Sequence, residues 1–198
     1  MRHRVLVVLF LLLATACAGS TPPPAGPPPD AGIALPPAET LCYRGMSHFS
    51  APDGSPLGPG GVMVRRTVDP AAGRIVEDVI TYDEPDEQPP SERVLETTVE
   101  GNGFSFDFEG GHGEGELVGE PWAWTSWRSE TTLADGMRVV SEDEVSGRDI
   151  AFRQQVFDST GSLVVVIEGV LARIRCEEWE SLREPALSGQ LISDMQVP

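Results

Sequence analysis

Between residues 41 and 175 apolar and polar positions alternate in short runs, each closed by a turn signal. The runs are 41–49, 62–69, 74–82, 92–100, 104–108, 114–119, 122–133, 137–145, 149–157 and 162–175. Phe104-Ser-Phe-Asp-Phe108 is the clearest of them. Its period of two puts three phenyl rings on one face and polar side chains on the other, as a half-buried strand requires. Gly101-Asn-Gly103, Asp135-Gly136 and Ser146-Gly147 separate neighbouring runs, and their residues accept the positive φ of tight hairpins. Pro70-Ala-Ala-Gly73 and Gly110-Gly-His-Gly113 also read as turns, and residues 50–60 and 83–91 as longer loops rich in Pro. No stretch before Cys176 has a helical period.

Short connections make consecutive strands antiparallel neighbours. The pattern therefore predicts an all-β fold, an up-and-down meander of about ten strands. A long open sheet leaves two exposed edges, so the meander is expected to close into a barrel, with a two-sheet β-sandwich as the alternative. The last run is apolar on both faces: Leu163, Val165 and Ile167 on one, Val164, Val166 and Val170 on the other. Such a strand needs an outer cover. Glu177-Glu-Trp179-Glu-Ser-Leu182-Arg183, with acids first and Arg last, predicts a short helix. Trp179 and Leu182 are expected to pack on the outer face of that last strand. The domain expectation is a barrel over 40–176, then a short helix and a loose tail over 177–198.

The N-terminus has a different character. Arg2 and Arg4 precede a 12-residue apolar run at 5–16, shorter than the roughly 20 residues that span a bilayer and suited to a secretory signal. Ala14-Thr-Ala16-Cys17 resembles the lipobox of bacterial lipoproteins, departing from it at Ala14, where Leu is preferred. In that family the Cys thiol receives diacylglycerol, the peptide is cut before the Cys, and the new amino group is acylated. The resemblance implies a signal peptide over 1–16 and lipid on Cys17. Ala18, rather than Asp, further implies the outer membrane, with the domain facing the periplasm. Ala14-x-Ala16 and Ala16-x-Ala18 also satisfy an ordinary secretory cut, which would give a secreted soluble protein. Residues 17–39 carry two Pro triplets, at 22–24 and 27–29, and read as an extended spacer.

Of the three Cys, lipid on Cys17 leaves Cys42 and Cys176, an even pair that suits an oxidising compartment. One opens the first strand and the other ends the last. In a closed meander those two ends lie side by side, so a disulfide is expected to staple the seam; two buried free thiols are the alternative. All 14 basic residues are Arg, against 31 acids. Cleavage before Cys17 removes two Arg and no acid, so the mature net charge is 12 minus 31, or −19. That charge disfavours nucleic acid and anionic lipid surfaces as partners.

Arg66 shares a face with Val62, Val64 and Val68, and an Arg on an apolar stripe needs an anionic partner. Phe104, Phe106 and Phe108, with Trp122 and Trp124 on one face and Trp127 on the opposite one, could line a pocket for an apolar ligand or simply fill a core. At the level of fold the domain resembles the calycin superfamily, without the Gly-x-Trp that lipocalins carry near the first strand. In small fatty-acid-binding calycin barrels interior Arg residues hold a ligand carboxylate, and the resemblance implies that role for Arg66. Pairing of Arg66 with an internal Asp or Glu is the competing reading.

Catalytic and metal patterns are missing. His48 and His112 are the His residues beyond the signal, and no His/Cys/carboxylate spacing supplies a zinc site. The acidic clusters 83–87 and 142–144 lack calcium-loop spacing, and strand alternation turns Asp143 away from Glu142 and Glu144. There is no Gly-x-Ser-x-Gly and no triad, and no helix follows the Gly-rich 111–115 to hold a phosphate. The expectation is a lipid-anchored envelope protein without enzymatic activity, metal or cofactor. Its barrel would bind a small apolar or amphipathic ligand. The alternative is a filled-core lipoprotein that engages another envelope protein through its acidic surface.

Overall fold

The computed structural model describes residues 35–85, 88–108 and 110–193. Residues 1–34, which include the expected signal, Cys17 and nearly all of the spacer, lie outside the described residues. The strands are β1 Glu39–Ser50, β2 Pro56–Asp69, β3 Arg74–Tyr82, β4 Ser91–Glu100, β5 Gly103–Phe108, β6 Gly111–Glu120, β7 Ala123–Leu133, β8 Arg138–Ser146, β9 Asp149–Phe157 and β10 Leu163–Ile174. Each pairs with its sequence neighbours, and β1 pairs with β10, so the sheet is a closed barrel. The ladders are antiparallel. Closure is visible at Cys42, which faces Arg65 on one side and Ile174 on the other. This is the meander barrel expected from the pattern, and the sandwich alternative falls with it.

Two strands begin well before the pattern indicates. β2 reaches back through the Pro- and Gly-rich segment to Pro56, where its ladder with β1 places Ser47 opposite Gly60 and Phe49 opposite Gly58. β6 starts at Gly111, inside an apparent turn. In both cases a long neighbouring strand supplies the pairing, and it overrides weak local β-propensity.

The wall has two faces with different chemistry. On the outer face Cys42, Met63, Ile80 and Tyr82 pack under the helix α1, Cys176–Leu187, whose Trp179 is fully buried among them. Their neighbours in alternation, Tyr43, Val64 and Val79, turn inward and cluster with Ile150 and Leu171. The disulfide Cys42–Cys176 ties the first residue of α1 to β1, across 134 residues of chain.

The helix does not cover β10, as the apolar pattern of that strand had led us to expect. It lies across β1–β3, and Val170 of β10 stays 53% exposed. The disulfide explains the difference, because it fixes the start of the helix on the β1 side of the seam. Ion pairs lead it further across. Arg65 of β2 bridges Asp78 of β3 and Glu180 of the helix, with its guanidinium 4.6 Å above the Trp179 ring. Arg183 donates to both carboxylate oxygens of Glu92 on β4, at 2.8 and 2.6 Å. Residues 185–191 are packed rather than loose. Ala186 is fully buried, and a 3-10 turn at Gln190–Ser193 follows with Leu191 buried in the same cluster. No helix among the described residues is long and apolar enough to cross a membrane.

Candidate functional site

Phe104, Phe106 and Phe108 face inward from β5, opposite Gly115, Gly113 and Gly111 of β6. Their rings stack in a row, with centroids 6.3 and 6.0 Å apart and planes 13° and 19° from parallel. The glycines are what allows this. A Cβ on Gly113 would overlap the Phe106 ring, and one on Gly115 or Gly111 would meet the neighbouring phenyl. The rings therefore lie flat over the adjacent strand instead of projecting into the lumen.

The same inner face continues through the register to Ser129 and Thr131 on β7, Ser141 on β8 and Gln154 on β9. These side chains and the three phenyls are only half-buried, although they point into a closed barrel. The opposite side is packed. Tyr43, Val64, Ile150 and Leu171 form one inner cluster, and Phe49, Val165 and Ile167 another. The inner face is thus packed around β10, β1, β2 and the start of β9, and its side chains are half-buried along β5 and the middle of β7 and β8. The ladder between β4 and β5 is also short, four residue pairs from Thr97–Phe106 to Glu100–Gly103.

A β-bulge arranges the tryptophans. Leu117 of β6 faces Trp127, Val118 faces Ser126, and Gly119 faces Trp124, which leaves Thr125 as an extra residue. Its hydroxyl donates to the Val118 carbonyl at 3.3 Å. The extra residue reverses the alternation. Trp124 and Trp127 therefore share the inner face, where simple period-2 counting had set them on opposite ones. Trp122 lies in the hairpin before β7 with φ 64°, and its ring centroid is 4.9 Å from that of Trp124.

Arg66 points inward from β2, and its partner is internal. Nε and Nη2 both reach Oε1 of Glu77, the residue opposite on β3, at 2.7 Å. The guanidinium also sits 4.6 Å from the Trp127 ring, on the far side of the lumen, and 6.0 Å from the Tyr43 ring. Burial opposes its charge, but the Glu77 carboxylate more than offsets this and holds the Arg66 pKa above its ordinary value.

Four further half-buried charges belong to the interior, two of which, Glu84 and Asp143, entered the sequence reading only as members of the acidic clusters 83–87 and 142–144. Besides Glu77 they are Asp143, Arg93 and Glu84. Asp143 faces Trp127 and Phe152 across its two ladders and accepts a hydrogen bond from the Ser141 hydroxyl at 3.4 Å. Burial pushes its carboxyl up to about 7; attraction to Arg66 works against the rise and the charge of Glu77 adds to it. Arg93 turns inward from β4, where burial lowers its pKa and Glu84 and Glu77 support its charge. Glu84 folds over Gly60 at one mouth of the barrel, and burial raises its pKa. The result is a string of alternating charge through the barrel: Glu84, Arg93, Glu77, Arg66, Asp143. The available signal was parity: Arg93 is in phase with Leu95 and Val99, and Asp143 with Val139 and Val145.

The remaining candidates lie elsewhere. His112 is in β6 on the outer face, with Nδ1 2.7 Å from Oδ1 of Asp107. No group of His, Cys, Asp and Glu among the described residues could hold a metal ion.

No family model matches the chain, and no curated protein matches it. Among solved structures it is similar to a protein of unknown function of the DUF3598 family from Nostoc punctiforme, with 13% identity and a TM-score of 0.51. That match covers 67% of this chain and 46% of the other, so the chain spans less than half the length of that protein. At this identity the likeness is one of fold. Two looser matches are the dehydratase domain of the CurJ module of curacin polyketide synthase and an acyl-CoA thioesterase II from Mycobacterium marinum. The first is 9% identical over 69% of this chain and 77% of that one, with a TM-score of 0.22. The second is 8% identical over 68% and 81%, with a TM-score of 0.19. Neither superposes well enough to bear on function.

Proposed function

We propose that this chain is a lipid-anchored bacterial envelope protein whose barrel binds a small apolar or amphipathic ligand. The anchor is the lipid on Cys17, followed by a Pro-rich spacer that holds the barrel off the membrane, the outer membrane with the domain facing the periplasm. This part rests on the lipobox-like Ala14-Thr-Ala16-Cys17, and the Cys42–Cys176 disulfide supports an oxidising compartment. Metabolic labelling with an alkynyl fatty acid tests it. Wild type should incorporate the probe and Cys17→Ala should not; equal labelling of the two would leave a secreted soluble barrel.

The ligand reading rests on one observation, the half-buried row of Phe104, Phe106 and Phe108 lying flat on a glycine-lined wall. Core phenyls ordinarily interdigitate and exclude solvent. These stay half-buried on the inner wall, as the lining of a small-molecule site would. Trp124 adds a buried indole N–H that has no hydrogen-bond partner among the described residues. Native mass spectrometry of protein purified from its own host should show a non-covalent small molecule lost on unfolding. A consistently empty barrel would favour the second reading, engagement of an envelope protein through the acidic exterior. That reading draws on the outer wall of β4–β7, a shallow concavity carrying Glu100, Glu114, Glu116 and Glu130 against Arg128 alone.

A further inference from the structure

The inner wall over β5–β9 is apolar and weakly polar with one exception. The inward positions of β5–β9 are Phe on β5, Gly and Leu117 on β6, Trp, Ser, Thr and Leu on β7, and Ile150, Phe152, Gln154 and Val156 on β9. On β8 they are Val139, Ser141, Asp143 and Val145. Among the described residues Asp143 is the one ionisable side chain that this wall turns inward. Both inward arginines belong to the other side of the barrel. Arg66 is held by Glu77, and Arg93 has Glu84 and Glu77 as its charged neighbours. Asp143 itself forms no ion pair within 4 Å among the described residues, and the donor that reaches it, the Ser141 hydroxyl, is neutral. Counted together, the interior holds three acids and two arginines.

A half-buried carboxyl beside an aromatic surface, whose nearest cation is an Arg66 already paired with Glu77, is complementary to a cation or a strong hydrogen-bond donor. An anion placed there would meet Asp143 and Glu77 together. We propose that the lumen takes an amphiphile with an amine head, the alkyl part lying along Phe104, Phe106 and Phe108 and the head meeting Asp143. This rests on the barrel being a ligand-binding one and names the class of ligand.

The test is a calorimetric titration of the full chain carrying Cys17→Ala, free of lipid and detergent. The probes are dodecylamine, dodecanol and dodecanoate, each below its micelle concentration. Wild-type barrel should prefer dodecylamine over dodecanol by about tenfold or more, with dodecanoate weakest. Asp143→Asn should abolish the preference and leave dodecanol affinity unchanged. Glu142→Gln removes the same charge from the adjacent outward position, and should keep the preference. Two outcomes overturn the proposal while leaving a ligand-binding barrel intact: dodecanoate binding as well as dodecylamine, or the preference surviving in Asp143→Asn, which would place its origin on the acidic exterior. Failure of all three probes to bind the wild-type chain overturns the ligand reading and this one with it.

Discussion

Asp143→Asn should stabilise the protein in a way that grows with pH. An isolated Asp ionises near 3.8, and burial raises Asp143 to about 7. Below about pH 4 the carboxyl is neutral in both the folded and the unfolded chain, and its burial carries no ionic penalty. Between about pH 4 and pH 7 the unfolded chain releases a proton that the folded chain keeps, so stability falls as pH rises. Above about pH 7 the folded chain holds a buried carboxylate and the loss is complete. A rise of about three pH units at about 1.4 kcal/mol each gives a total of about 4 kcal/mol. Asn has nearly the same shape and stays neutral throughout. Its amide nitrogen beside Arg66 adds an offset, but that offset does not depend on pH. Ionisations common to both proteins, including that of the half-buried Glu84, cancel in the difference. The assay is urea unfolding followed by far-UV circular dichroism, with the disulfide intact, on both proteins from about pH 4 to about pH 8. The difference in unfolding free energy, variant minus wild type, should climb by about 4 kcal/mol across that range. A flat difference would mean that Asp143 is solvated or fully paired. A difference that falls with pH would mean that Arg66 holds it ionised, and either result refutes the reasoning.

Three other perturbations probe the remaining structure. Gly113→Ala places a methyl where the Phe106 ring lies, and should cost about 1–3 kcal/mol in urea unfolding and disturb the near-UV aromatic signal. Trp179→Ala empties the fully buried space under α1; a loss of about 3–5 kcal/mol is expected, read as a lowered Tm, and an unchanged Tm would mean that the helix does not hold this face. Replacing Cys42 and Cys176 together by Ser releases a closure spanning 134 residues, for which loop entropy gives about 5 kcal/mol in the same unfolding assay.

The barrel was legible in the sequence because its connections are short and its turns chemically marked. Gly101-Asn-Gly103 and Asp135-Gly136 leave little choice but antiparallel neighbours. The two cysteines at the outer ends of the meander identify which strands meet, and the disulfide forms where that meeting requires it. What the pattern missed follows from departures from strict alternation and from long-range docking. Thr125 adds one residue to β7, and everything before it changes face, so Trp124 could be placed only by knowing the ladder with β6. The helix position depends on the disulfide and on Arg65 and Arg183, whose partners are up to 115 residues away in sequence. Asp143 is a different case. Alternation separates it from Glu142 and Glu144, and the same count puts it in phase with Val139 and Val145. Its burial was therefore written in the strand, but an acidic triplet read as a unit suggests solvated surface.

Parity also decides what the interior charges can do. An Arg among valines invites the expectation of a ligand carboxylate, as the calycin resemblance implies for Arg66. Glu77, directly opposite on β3, already occupies that role with two hydrogen bonds to one oxygen. A carboxylate ligand would have to displace Glu77, leaving it buried and unpaired, or approach within a few ångströms of both Glu77 and Asp143. Like charges about 5 Å apart at an effective dielectric of about 20 repel by about 3 kcal/mol. That is enough to reverse a preference built on apolar contact with one or two methylenes. The tryptophan ring over Arg66 strengthens the existing pair, because it covers the guanidinium face that a second anion would need to reach from the lumen. Arg66 is thus spent on holding β2 and β3 and the inner aromatic layer together. If the barrel takes a ligand as proposed, the ionisable group that β5–β9 turn inward is the carboxyl of Asp143, which would select for a cationic or donor head and against an anionic one.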